Sequence, residues 1–154
     1  MYIKYGATFV AAFVVLLAMP FAHAEVINIS SDELKALMQR GTPVVDLRTA
    51  GEWRQTGVVK GSQLITLFDE QGRADPVAWR QQTDKVAAAS KPVILICRSG
   101  NRSDQAARYL DQIDHKRTIY NVKAGIATWI REGHAVVSLQ DNLKQAGISC
   151  SPSC

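Results

Sequence analysis

The stretch V-I-L-I-C-R-S-G-N-R-S, residues 93–103, ends a short apolar run in Cys97 and continues at once into a small, polar, twice-basic loop. That order of residues suits an activated thiol. Val93 to Ile96 are apolar and largely β-branched without alternation, the pattern of a strand covered on both faces in a parallel sheet. Cys97 then stands at the strand's carboxyl end, where open α/β sheets bind their ligands. The chain runs on into N-R-S-D-Q-A-A-R-Y-L-D-Q-I, in which Ala106, Ala107, Leu110 and Ile113 recur at helical spacing. Backbone N–H groups from Arg98, Ser99, Gly100, Asn101, Arg102 and Ser103, with the positive end of the helix dipole, would form a concavity for an anion. Gly100 lets the loop turn tightly, Arg98 and Arg102 add positive charge, and the Ser99 and Ser103 hydroxyls offer further hydrogen bonds. A cysteine in that setting is favoured as thiolate, the nucleophilic form. A lone cysteine after an apolar run is otherwise a buried structural residue, and the loop is what argues against that reading.

No histidine stands ready as a base. His23 lies in the leading segment, His115 in the polar turn D-H-K-R and His134 just after Gly133, and the latter two read as exposed. The loop itself must therefore stabilise the thiolate. One nucleophilic cysteine without neighbouring His or Cys ligands does not make a metal site, so no metal and no organic cofactor is implied. Asp46 and Arg48 alternate at a strand end, with Glu52 one turn on. Placing one of them beside the loop is the functional reading. The favoured reading makes all three structural support, a salt-bridged bracket holding strand, helix and loop in register, because an aspartate near a thiolate opposes its ionisation.

The elements that would position these residues alternate along the chain. Ser30-Ser31-Asp32-Glu33 is a capping box opening a helix with Leu34, Leu37 and Met38 on one face. Val44 to Leu47 reads as a strand, a short helix begins at Glu52, and Leu64-Ile65 is a short strand. Asp75-Pro76 caps a helix from Val77 to Ala88. After the Cys97 strand, loop and helix come a strand over Thr118–Val122 and a helix over Ile126–Glu132, stopped by Gly133. Trp129, with Ile126 and Ile130, reads as a core anchor, and Trp53 and Trp79 as core or rim packing. The alternation predicts an α/β fold, an open parallel sheet flanked by helices on both faces.

Three ordered segments resemble the rhodanese-like sulfurtransferases. Val44 to Ser62, V-V-D-L-R-T-A-G-E-W-R-Q-T-G-V-V-K-G-S, is similar to that family's first signature; the Cys97 loop is its second; Val122 to Val137, V-K-A-G-I-A-T-W-I-R-E-G-H-A-V-V, is similar to its closing one. Val58 stands where the family usually has His, Ser62 where it often has Ala, and Ala124 where it often has Gly. These departures bear on packing and substrate access more than on chemistry. From Cys97 to Arg102 the spacing is C-x4-R, the shorter loop of the family's sulfurtransferases; its phosphatase relatives have C-x5-R. The resemblance implies that Cys97 takes a sulfur atom from a small anionic donor such as thiosulfate, releases sulfite, and passes the persulfide sulfur to cyanide or a thiol. Arg98 and Arg102 would guide the donor. A phosphatase or arsenate-type enzyme using the same cysteine, and a non-catalytic module that senses persulfide or docks an envelope protein, are the rival readings.

Residues 1–24 read as a cleavable signal peptide: Lys4 in a positive n-region, an apolar h-region from Tyr5 to Phe21, and Ala22-His23-Ala24 before the cut at Glu25. An uncleaved anchor is the alternative; otherwise no stable membrane insertion is expected and the location is periplasmic. Residues 25–140 then form one rhodanese-like domain and 141–154 a tail. Lys and Arg number 18 against 14 Asp and Glu, a mild excess, and without a basic run interleaved with aromatics no nucleic-acid partner is indicated. With three cysteines in an oxidising compartment, the simplest partition is a Cys150–Cys154 disulfide around Pro152 that leaves Cys97 free. In the alternative, one tail cysteine accepts sulfur from Cys97 or protects it as a disulfide.

Overall fold

A four-residue apolar strand without alternation needs cover on both faces, and Val93–Ile96 has it. In a computed structural model, which describes residues 25–114 and 116–147, all four side chains are buried. Val93 and Leu95 face a layer formed with Val45, Leu47, Trp79, Ala106, Ala107 and Leu110. Ile94 and Ile96 face the opposite layer, which includes Leu34, Leu37, Ile126 and Trp129. The element order is β1 Glu25–Ile29, α1 Ser31–Gln39, β2 Val44–Asp46, α2 Ala50–Thr56, β3 Gln63–Leu64, α3 Pro76–Val86, β4 Val93–Ile96, α4 Asn101–Asp114, β5 Thr118–Val122, α5 Gly125–Arg131 and α6 Leu139–Gln145. The sheet runs β1-β5-β4-β2-β3 and every pairing is parallel. Asp46 pairs with Ile96. The ends of β2 and β4 are therefore level, and Leu47 and Cys97 leave the sheet at one edge.

The predicted α/β architecture is the one observed, and β4 and β5 have the expected bounds. Both cores draw helices to the sheet, α3 and α4 on one face, α1 and α5 on the other. The Ser30 capping box closes as the spacing implies, with the Ser30 hydroxyl accepting from the Glu33 N–H and the Glu33 carboxylate accepting from the Ser30 N–H. Trp79 is 1% exposed and donates its indole N–H to the Ile65 carbonyl at 3.0 Å.

Several expectations need correction. The edge strand β1, ahead of α1, is absent from the sequence reading: among its five residues only Ile29 is buried, so the apolar signal is weak. Glu52 does not begin α2. It is the third residue of a helix capped by Thr49, whose hydroxyl accepts from the Glu52 N–H. Ile113 and Ile130, assigned to the core by spacing, are 37% and 39% exposed; each lies at the margin of its helix's apolar stripe. The folded domain also runs past residue 140. Helix α6 packs Leu139 with Trp53 and Val58, while the Asn142 amide accepts from the Gly61 N–H at 2.7 Å and donates to the Ser62 carbonyl at 2.9 Å. Val58, a departure from the family pattern, is fully buried and pairs through two 2.9 Å backbone hydrogen bonds with Val137. Residues 1–24, expected to be a signal peptide, and His115, Cys150 and Cys154 lie outside the described residues.

Candidate active site

Cys97 follows β4 directly, so the sheet fixes its Cα and the following loop decides what its sulfur meets. The side chain is buried, and Sγ accepts the Gly100 N–H at 3.1 Å. The Ser103 Oγ lies 3.4 Å from Sγ and 3.0 Å from the Gly100 carbonyl oxygen. Its single proton can serve one of them at a time. A neutral thiol can donate to Oγ while the hydroxyl donates to the carbonyl; a thiolate instead draws the hydroxyl proton to itself.

The first two carbonyls of this segment, those of Cys97 and Arg98, are taken by α5. Ile126 N–H donates to the Cys97 carbonyl at 2.9 Å and Ala127 N–H to that of Arg98 at 3.1 Å. This contact depends on two glycines held in the left-handed region. A Cβ on Gly125, with φ +61°, would lie 2.4 Å from the Arg98 oxygen, and one on Gly100, with φ +94°, would lie 1.9 Å from the Lys123 oxygen. The closing segment thus acts through its glycine on the Cys97 loop. Sequence reasoning placed Gly100 correctly as a turn residue but missed Gly125; the V-K-A-G run was its only signal.

The expected bracket of Asp46, Arg48 and Glu52 is divided. Arg48 and Asp46 form a buried pair, with Nη2 2.7 Å from Oδ2 and Nε within 3.0 and 3.1 Å of the two carboxylate oxygens. Arg48 further donates to Thr56 Oγ1 at 2.7 Å and to the Gly57 carbonyl at 2.9 Å, tying the end of β2 to the end of α2. Glu52 pairs instead with Arg102, at 2.6 and 2.9 Å, and so joins α2 to the start of α4. Burial opposes the Glu52 charge, but the Arg102 and Thr49 hydrogen bonds and the charges of Arg102 and Arg48 outweigh it and hold the carboxyl below its usual range. Hydrogen bonding to Glu52 raises the Arg102 value against the effect of burial, with smaller contributions from the Glu52 charge and the nearby Cys97 sulfur.

A cavity of about 590 Å³ opens beside the loop. Of the six loop residues expected to bind substrate, Arg98, Ser99, Asn101 and Arg102 line it and Gly100 and Ser103 do not; its other wall is formed by Thr49 and by Glu52, the member of the expected bracket that stands beside the loop, with Phe68, Asp69 and Glu70 from the segment after β3. Thr49 and Glu52 were legible as a T-x-x-E capping box; Phe68–Glu70 carry no local signal. Asp46 and Arg48 do not line this cavity. A second space of about 620 Å³ adjoins the loop at Ser99, between α1 and α5. His134 lines neither; it stacks on Trp129 with ring centroids 4.2 Å apart and is less exposed than its sequence position suggests. Among the described residues no three His, Cys, Asp or Glu side chains group as a metal site, and no helix is long and apolar enough to cross a membrane.

The loop can hold one anionic atom on the buried Cys97 sulfur, and the cavity, whose lining does not include Cys97, can admit a polar molecule beside the loop. Similar proteins carry the same framework. Thiosulfate sulfurtransferase 18 of Arabidopsis thaliana is 26% identical over 110 residues, 69% of this chain and 79% of that protein. The crystal structure of a rhodanese-related protein from Thermoplasma volcanium matches 72% of this chain and 97% of its own, at 25% identity and a TM-score of 0.54. The solution structure of the polysulfide-sulfur transferase homodimer from Wolinella succinogenes matches 73% and 79% of the two chains at 20% identity, with a TM-score of 0.58, a likeness of fold. The model of the rhodanese-like domain matches residues 30–132, which span β4, the Cys97 loop and α5, and the chain belongs to that family.

Proposed function

We propose that this protein is a sulfurtransferase that moves a sulfane sulfur from thiosulfate or a similar donor to a thiophilic acceptor through a Cys97 persulfide. The observation that carries the reading is the setting of Cys97: a buried sulfur that accepts the Gly100 N–H and has Ser103 Oγ beside it, in a C-x4-R loop whose first two carbonyls are held by α5. The Cys97 thiolate attacks the outer sulfur of thiosulfate, the sulfur–sulfur bond breaks, and sulfite leaves with the electron pair. The terminal sulfur of the persulfide then carries the negative charge, and backbone N–H groups of residues 98–103 and the Ser103 hydroxyl stabilise it. Cyanide or a thiolate removes that sulfur and restores Cys97. Arg98, exposed on the cavity wall, draws in the anionic donor, whereas the charge of Arg102 is already met by Glu52.

The reaction runs in an exported, periplasmic compartment after removal of residues 1–24, with Cys150 and Cys154 paired and Cys97 left as the free thiol. The family's thiosulfate-acting relative supports the choice of donor. Intact-mass measurement of the chain from Glu25 onward, mixed with thiosulfate, gains one sulfur atom, and Cys97→Ser gains none. An unchanged mass with thiosulfate and polysulfide, together with hydrolysis of an aryl phosphate, would replace sulfur transfer by phosphatase chemistry.

A further inference from the structure

The cavity beside the loop offers about 590 Å³, a volume in the range of about 300–1,000 Å³ that suits ligands much larger than thiosulfate. Its charges show what kind of ligand that is. Five charged side chains line it: Glu52, Asp69, Glu70, Arg98 and Arg102. Glu52 and Arg102 satisfy one another at 2.6 and 2.9 Å. Asp69 is taken by the Arg73 guanidinium at 2.7 Å and by the N–H groups of Gln71 and Arg73 at 2.9 and 2.8 Å. Arg98 and Glu70 remain, one of each sign, and neither side chain has a hydrogen-bond or ion-pair partner among the described residues. Glu70 is exposed, and its carboxylate lies over the start of α2: a Cβ built on Gly51 would lie 2.9 Å from Glu70 Oε1. The missing side chain at Gly51 makes room for that carboxylate.

The unpaired guanidinium that draws in the anionic donor is accompanied on this wall by an unpaired carboxylate, so a ligand with a single sign of charge leaves one of the two unmet. A molecule with both charges meets both. We infer that the acceptor is a small zwitterionic aminothiol, such as cysteine, whose carboxylate pairs with Arg98 and whose ammonium pairs with Glu70 while its sulfur faces the Cys97 persulfide. This rests on the sulfur-transfer reading. The acceptor thiol gives its proton to solvent, its thiolate attacks the terminal sulfur, the bond between that sulfur and Cys97 Sγ breaks with the electron pair left on Cys97, and the acceptor leaves as a persulfide. No outside oxidant or reductant is needed.

The test follows discharge of a protein first loaded with one sulfur atom, confirmed by mass. Four thiols are compared at equal thiolate concentration: cysteine, cysteamine, 3-mercaptopropionate and 2-mercaptoethanol. Cysteine is expected to exceed 2-mercaptoethanol in kcat/KM by about 5–20-fold, the effect of two partly exposed charge contacts. Glu70→Gln lowers the ratio of cysteine to 3-mercaptopropionate by about 3–5-fold, and Arg98→Gln lowers the ratio of cysteine to cysteamine by a similar factor. Gly51→Ala, which displaces the Glu70 carboxylate, shifts the first ratio in the same direction. Equal discharge by all four thiols, or variants that slow all four alike, overturns the inference while leaving sulfur transfer intact. Failure to load sulfur at all removes the sulfur-transfer reading and this inference with it.

Discussion

Asp46–Arg48 and Glu52–Arg102 join the same two chemical groups at nearly the same distance, 2.7 and 2.6 Å, yet the first pair is 0% and 1% exposed and the second 22% and 26%. The buried pair sits behind the site, where Arg48 also binds Thr56 and the Gly57 carbonyl. The half-buried pair stands at the cavity wall and takes up the charge of a loop arginine. Burial decides the difference in role. Where water is excluded, leaving one partner alone is costly and the pair fixes structure; where water reaches, the pair contributes little stability but sets the local charge a substrate meets.

The largest effect expected from that contrast belongs to Arg48→Met. It strands the Asp46 carboxylate without water or counter-ion and should lower the unfolding free energy by about 3–5 kcal/mol, read as a drop in denaturant midpoint. Sulfur loading per folded molecule should persist, because neither residue lines the cavity. A loss under about 1 kcal/mol, the value of an exposed pair, would break the comparison. Thr56→Val is milder. It keeps the shape and removes the Arg48 contact at 2.7 Å, while Arg48 retains Asp46 and Gly57. About 1–2 kcal/mol is expected, as for one hydrogen bond to a charged group.

This contrast also marks what the sequence could convey. Asp46, Arg48 and Glu52 announce ion pairing by their types and spacing, but partner choice depends on where α2 turns relative to β2. The Thr49 capping box sets that turn and starts the helix at Ala50, two residues before Glu52. Elements with a strong local pattern, β4, β5 and the α4 entry, were legible because apolar period and turn chemistry agree there. The β1 edge strand and α6 were not: one buries little, and the other is a seven-residue helix held by contacts to Trp53, Val58 and Ser62, far away in the chain. The residue types and spacing of the Cys97 loop are local and stand in the sequence itself. The opposite wall of the cavity, Phe68 to Glu70, is brought in by tertiary structure alone.

Glu52→Gln probes the second pair. Stability should change by less than about 1 kcal/mol, since both partners reach water. The kinetic consequence is larger. With one negative charge removed from the wall and Arg102 no longer neutralised, KM for thiosulfate should fall by about 2–5-fold, an effect that shrinks as salt rises. If KM instead rises and kcat falls, Glu52 serves chiefly to hold the loop in place, and the two pairs differ in burial without differing in role.

The smallest effect is the pH dependence of that same stability difference. Glu52 has its folded value lowered below the usual carboxyl range, so its contribution is complete above the unfolded value and is lost as pH falls through the folded one. The gap in unfolding free energy between the native protein and Glu52→Gln should therefore be constant near neutrality and close in acid, below the ordinary carboxyl range. Glu33, held down mainly by the Ser30 N–H, and Asp69, held down mainly by the Arg73 N–H, titrate in the same acidic range. Both are present in the two proteins, so their contributions cancel in the difference. A gap that never closes as the pH falls through the acid range would mean that Glu52 acts by shape, through its place in the Thr49 capping box, and that the charge of the pair contributes nothing to stability.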